Sequence, residues 1–174
     1  GETTAQIGEN GIQMFAPAGL KSDPQAIDTI FAFNPTTNSL RIGVGNVASG
    51  QNSISVGTGN TALGANAIAI GTANRANDNN CVALGNMNTA DTLDATVTGG
   101  RNNIADAFGA TVGGGLNNTS SGEGAVVAGG QSNLAEVSNS TVGGGTGNSA
   151  IHDGSTVAGG GGNTVAGVYA TIAG

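Results

Sequence analysis

Tryptophan is absent from the 174 residues, cysteine occurs once, and aromatic residues make up 3% of the chain. So few large rings argue against an ordinary globular core built on bulky side chains. The lone Cys81 excludes an intrachain disulfide framework and a cysteine-based zinc site. Positive charge is equally scarce: Lys21, Arg41, Arg75 and Arg101 face 11 acidic residues, for a net charge of -7. No basic stripe can neutralise phosphates, so nucleic acid is not an expected partner. No apolar run reaches the roughly 18 to 20 residues that span a bilayer, and direct membrane insertion of this segment is not expected. The opening residues GETTAQIGEN lack a charged and apolar leader. The expectation is that, if the protein is exported, its signal and any anchor lie outside this sequence.

Glycine, by contrast, is abundant, with 33 residues, while 37% of the chain is apolar and 9% is charged. Glycine does not recur at every third position, which excludes collagen, and the apolar content disfavours simple disorder. The glycines are periodic over a longer distance. From Ser39 to Asp94 the chain divides into four units of fourteen, SLRIGVGNVASGQN, SISVGTGNTALGAN, AIAIGTANRANDNN and CVALGNMNTADTLD. From Ala95 the period is fifteen, as in ATVGGGLNNTSSGEG and STVGGGTGNSAIHDG, and ATIAG begins a tenth unit.

One skeleton runs through both periods: Gly, two residues, Asn, one residue, then usually Ala. Its glycines are Gly43, Gly57, Gly71, Gly85, Gly100, Gly115, Gly130, Gly145 and Gly160. Its asparagines are Asn46, Asn60, Asn74, Asn88, Asn103, Asn118, Asn133, Asn148 and Asn163. Before each early Gly, period-2 alternation such as Ile68 and Ile70 around Ala69 signals a short strand. Two strands of about four or five residues and two tight turns fill a unit, which makes each unit one coil of a parallel β-solenoid with coils about 4.7 to 4.9 Å apart. Glycine supplies the positive φ or close approach at the corners, and the asparagines are expected to stack as an amide ladder. In the later units the first apolar position reads as Val97, Val112, Val127, Val142, Val157 and Ile172. The second becomes Gly99, Gly114, Gly129, Gly144 and Gly159, which predicts a narrower interior or the approach of another backbone. A coil this thin offers few inward carbons, so several copies are expected to pack through their glycine-rich faces.

The stretch NSISVGTGNTALGANAIAIGTANRA resembles the head repeats of trimeric autotransporter adhesins, the YadA-like left-handed parallel β-roll, whose units read approximately Ser-Val-Ala-Ile-Gly-x-x-Ser/Asn-x-Ala-x-Gly-x-Asn. Residues 39–94 match this pattern, and residues 95–174 keep its Gly-x-x-Asn-x-Ala frame with a longer period. The resemblance implies a left-handed roll, three chains side by side in a rod, surface display and adhesion to a host or other surface. No neck sequence or sustained heptad pattern accompanies it, and related head modules also occur in phage and viral fibres. Residues 1–38 differ in kind, holding Pro17, Pro24, Pro35, Phe15, Phe31 and Phe33. They read as a cap on the first coil or the end of a preceding domain, with a short helix at SDPQAID and a strand at TIFAF.

Signs of chemistry are sparse. GTGNTA at 57–62 and GVGNVA at 43–48 fit a degenerate dinucleotide-binding pattern, but no helix follows to receive a pyrophosphate, and both read as repeat corners. His152 beside Asp153 has no paired nucleophile or further ligand nearby and reads as a turn residue. Cys81 opens a coil where Ser53 and Ala67 stand elsewhere and reads as a packed thiol. Asp91 and Asp94 could form a glycan-cleaving carboxylate pair, yet Asp94 occupies the place of Asn52, Asn66 and Asn80 and reads as a corner residue. Thr96, Thr111, Thr141, Thr156 and Thr171 align as a ladder broken at Val126, which raises an ice-binding face as a weaker reading.

The expectations are thus an all-β parallel β-solenoid, 39–94 in coils of fourteen and 95–174 in coils of fifteen, assembled as a trimeric rod. Its function is non-enzymatic adhesion or display, with a phage or viral fibre segment as the alternative. No catalytic residue, cofactor or metal is expected. The partners are copies of itself and an unidentified surface, matrix protein or glycan, in an extracellular setting at a cell, virion or fibre surface.

Overall fold

A computed structural model of the chain describes residues 5–8, 11–15 and 29–174. The short helix expected at SDPQAID lies outside them. Among the described residues every regular element is a strand. β1 (Ala5–Gly8), β2 (Gly11–Phe15), β3 (Thr29–Asn34) and β4 (Ser39–Val44) pair antiparallel in sequence order, and β3 contains the TIFAF stretch. There follow β5 (Val47–Ala48), β6 (Ile54–Thr58), β7 (Thr61–Ala62), β8 (Ile68–Thr72), β9 (Arg75–Ala76), β10 (Val82–Asn86) and β11 (Thr89–Ala90). From β4 onward each strand pairs in parallel with the strand two further along. The chain therefore winds as a parallel β-solenoid of about ten turns between a thirteen-stranded and a nine-stranded sheet. The first three strands extend the larger sheet past the first coil and occupy the edge that β4 would otherwise present.

The space between the sheets is narrow, and composition follows from it. In one coil the inward side chains are Ala67, Ala69, Asn74 and Ala76, all fully buried. Successive strand residues point to opposite faces, so Ile68 and Ile70 around Ala69 point outward, and Ile70 is 40% exposed. The β-branched residues therefore cover the outside of the larger sheet, and alanine or serine fills the inside. A two-residue strand facing a five-residue strand leaves room for a methyl or hydroxyl group and little more.

The fifteen-residue coils solve the same problem with a different register. Their first strand, β12 (Thr96–Val97), aligns Val97 with Ala83 and Thr96 with Val82, so Val97 is the inward residue and Thr96 the outward one. The reading that set Val97 at the position of Ile54 and Ile68 is thereby corrected. Asn86 lies three residues beyond Ala83, whereas its bridge partner Arg101 lies four beyond Val97, which locates the extra residue just before the ladder glycine. That insertion shortens the strand to two residues, after which one isolated bridge resumes the pairing, Arg101 to Leu116 to Gln131 and onward. Val97, Val112, Val127, Val142 and Val157 are the largest apolar side chains fully enclosed.

The interior column Ala62, Ala76, Ala90 and Ala105 is fully buried between the two sheets. Ala90→Leu is expected to cost about 1–3 kcal/mol through overpacking, while Thr89→Leu, one residue away and directed outward, is expected to cost far less. Chemical denaturation of the two variants beside the parent checks the difference.

Candidate interaction surface

The corner between the two sheets is built from glycine and asparagine. At Asn60, Nδ2 donates to the carbonyl oxygens of Val56 at 3.0 Å, in its own coil, and Gly71 at 2.8 Å, in the next. Its Oδ1 accepts from the backbone N–H of Asn74 at 2.9 Å and from Asn74 Nδ2 at 3.0 Å. One side chain thus satisfies its own turn and fixes the coil above it. The bond from backbone N–H to the preceding Oδ1 continues without a gap from Asn60 through Asn163, at 2.8–3.0 Å. In the longer coils the amide–amide contact is gone: Asn118 Nδ2 donates to Gly114 O and Gly130 O, and its Oδ1 receives the Asn133 N–H. The amides there are bonded through the backbone rather than stacked directly on one another.

Glycine is the geometric complement of that lock. Gly130 has φ +91, and a Cβ built on it would strike the carbonyl oxygen of Gly145 and lie 2.7 Å from Asn133 Nδ2. The glycine just before the ladder in the longer coils differs. A Cβ at Gly99 or Gly159 would meet no heavy atom within 4 Å. Neither a narrower interior nor another stretch of the same backbone accounts for these glycines, and they leave a strip free of side chains open to the outside.

A second ladder, on the opposite corner, was not drawn from the sequence. Asn38 Nδ2 donates to Asn52 Oδ1 at 2.8 Å, Asn52 to Asn66 at 3.3 Å, Asn66 to Asn80 at 3.0 Å, and Asn80 to Asp94 at 2.8 Å. All five residues have φ between 55 and 62, which asparagine and aspartate tolerate better than most residues. The signal for it was the asparagine closing each of the first three units, with Asp94 closing the fourth. Asp94 is the acceptor that ends this chain, since Gly109, its equivalent in the next coil, has no side chain to continue it.

The other flagged residues fall into ordinary surroundings. Asp91 accepts a hydrogen bond from Asn77 Nδ2. His152 is exposed in a turn whose backbone is bonded to Ser155. Cys81 is buried with its Sγ 2.9 Å from Thr92 O, and burial pushes the thiol pKa up, away from the thiolate form. GTGNTA spans the end of β6 and all of β7, with no helix after it. Thr96, Thr111, Val126, Thr141, Thr156 and Thr171 align in register on the outer face of the larger sheet. Among the described residues no three His, Cys, Asp or Glu side chains are placed to hold a metal ion, and no helix is long and apolar enough to cross a membrane.

What this surface offers is therefore an extended, periodic wall with an apolar strip along residues 40–84. The YadA head domain repeat matches residues 37–60, 48–74 and 62–86, the coils that carry this strip. This stretch is similar to the YadA head repeat. The YadA head family is one of surface-exposed, adhesin-type modules that form homotrimers and are generally non-enzymatic. No curated protein matches the chain. Beyond residue 86 the YadA-like coils pass without interruption into the fifteen-residue coils through the pairing of β10 with β12.

Replacing Gly130 with Val places a branched side chain against the Gly145 carbonyl and is expected to lower the melting temperature and disrupt assembly, read by circular dichroism and sedimentation; unchanged values would contradict the corner geometry. At the outer turn, burial holds the Asp106 carboxyl above its ordinary value near 3.8, its own backbone hydrogen bond opposes this, and the Asp91 charge adds to it. The folded state then holds its proton at a pH where the unfolded chain has released it, so this group opposes folding at neutral pH and stability is regained as pH falls through the raised value. Asp106→Asn is expected to raise the melting temperature at neutral pH, with the gain vanishing once the pH is below the ordinary carboxyl range.

Proposed function

We propose that the chain is the head of a homotrimeric surface adhesin, in which three copies pack through the outer face of the thirteen-stranded sheet and leave the remaining faces to bind a target surface. β1 to β3 cover the edge of the first coil, and residues 39–94 and 95–174 form two segments of one array. The observation that carries this reading is the outward placement of the large apolar strand residues. Leu40, Ile54, Ile68 and Val82 stand in one outward column and Ile42, Val56, Ile70 and Leu84 in another, aligned by the parallel register. An apolar strip of this length is the mark of an interaction site rather than of scattered surface residues. Toward residue 174 the strip gives way to Thr96, Thr111 and their successors beside glycines with open space around them. Copies packed there approach closely, backbone to backbone. Attachment is through repeated weak contacts multiplied across three copies, and no chemical step is involved.

Light scattering after size exclusion is expected to give about three times 16.5 kDa. Ile70→Asp and Gly99→Leu, which disturb nothing inside the single chain, are each expected to reduce that mass to the monomer's. Retention of the trimer by both variants would remove this face from the interface, and a monomeric parent would remove the assembly.

A further inference from the structure

Exposed apolar side chains stand in the outer turns at Leu63, at Leu93 and Phe108, and at Val168 and Tyr169, and among the described residues Leu93 and Phe108 are the pair that shares one turn position on consecutive coils. The third turn position is Gln51, Ala65 and Asn79 in successive early coils, then Leu93 and Phe108, then Glu123. Phe108 is 50% exposed and Leu93 is 37% exposed, and neither side chain belongs to the enclosed core. The two sit on consecutive coils whose turns are tied together, with Gly109 N–H donating to Leu93 O at 3.1 Å and Gly124 N–H to Phe108 O at 2.9 Å. Ile104, 39% exposed, lies on the strand that leads into the same turn. The pair is therefore held in a fixed place without contributing to the interior.

Charge gives this corner a sign. Asp91 and Asp106 share the first turn position of the same two coils, close enough that the Asp91 charge raises the Asp106 pKa, Asp94 closes the first turn, and Glu123 continues the Phe108 column. Between Asp78 and Glu123 the only base is Arg101, which sits at the glycine–asparagine corner, on the other side of the Ile104–Ala105 strand. An apolar centre bordered by carboxylates is complementary to a segment carrying lysine or arginine around an apolar side chain. We propose that the Leu93–Phe108 corner is a docking surface for a short cationic, amphipathic segment of a partner protein. The apolar side chain of that segment rests on Leu93 and Phe108, and its cations face Asp91, Asp94, Asp106 and Glu123. This rests on the adhesin reading and supplies it with a class of target, repeated once per copy around the rod.

The test uses the full chain and a short labelled peptide of alternating lysine and leucine, with a peptide bearing glutamate in place of lysine as control, followed by fluorescence anisotropy at low and high salt. Binding of the lysine peptide alone is expected, weakening as salt is raised. Phe108→Ser and the double variant Asp106→Asn/Glu123→Gln are each expected to weaken it by about tenfold or more. The double variant Glu136→Gln/Asp153→Asn, which removes the same charge from turns lacking the exposed pair, is expected to leave it unchanged. Equal loss in that variant would mean bulk attraction to an acidic protein and would overturn the proposal, as would full binding by Phe108→Ser. A fall in the mass of Phe108→Ser would assign the corner to a second copy of the chain instead. A trimeric parent that does not bind the peptide would sink the docking surface and leave the adhesin assembly standing.

Discussion

The constraint on which this structure turns is the bond between one asparagine amide and the coil above it. A buried amide must satisfy its donors and acceptor, and a miss at any one costs about 1–3 kcal/mol. Each enclosed asparagine meets this by bonding one carbonyl in its own coil, one glycine carbonyl in the next, and the next asparagine's N–H. That arrangement sets the corner, fixes the coil spacing, and requires glycine where a Cβ would meet the facing carbonyl. It also survives the change of period. The extra residue of the longer coils enters just before the ladder glycine, so the strand shortens while Gly100 and Asn103 keep the relation that Gly85 and Asn88 have.

From the tight corner follows a thin interior, and from the thin interior an outward apolar face. The two-residue strands of the smaller sheet cannot hold their partners far enough away for isoleucine to fit between them. The larger side chains are consequently outside, where a single chain leaves them half exposed. A protein that has turned its apolar residues outward over several coils is suited to assembly, and the YadA-like match falls on those coils. Where the outward residues become threonine, glycine and alanine, the same face becomes flat.

Much of the architecture was legible in the sequence because the repeat is short and the spacing strict. Gly-x-x-Asn at fixed intervals located the corner, and alternation around Ala69 and Ala83 located the strands. The direction of those strands was not legible. A pattern such as Ile-Ala-Ile is consistent with either face, and a shift of one residue exchanges them. Hydrophobicity favoured burying isoleucine, and the volume available between the sheets decided for alanine. The same ambiguity misplaced Val97: aligned on the glycine it matches Val82, whereas the strand register matches it to Ala83. At the candidate surface, Asp94 was legible as a corner residue by its equivalence with Asn80. The exposed pair Leu93 and Phe108 was not legible, because two apolar residues in variable turns break no rule until their exposure and their common column are seen.

The central claim is that a coil with so little inside it is stable only as part of an assembly. Thermal unfolding of the unmodified chain followed by circular dichroism over a wide range of protein concentrations tests this most directly. The account predicts a melting temperature that rises with concentration, since folding and association are then one equilibrium. A reversible transition whose midpoint is independent of concentration, from a species with the mass of a single chain, would contradict it.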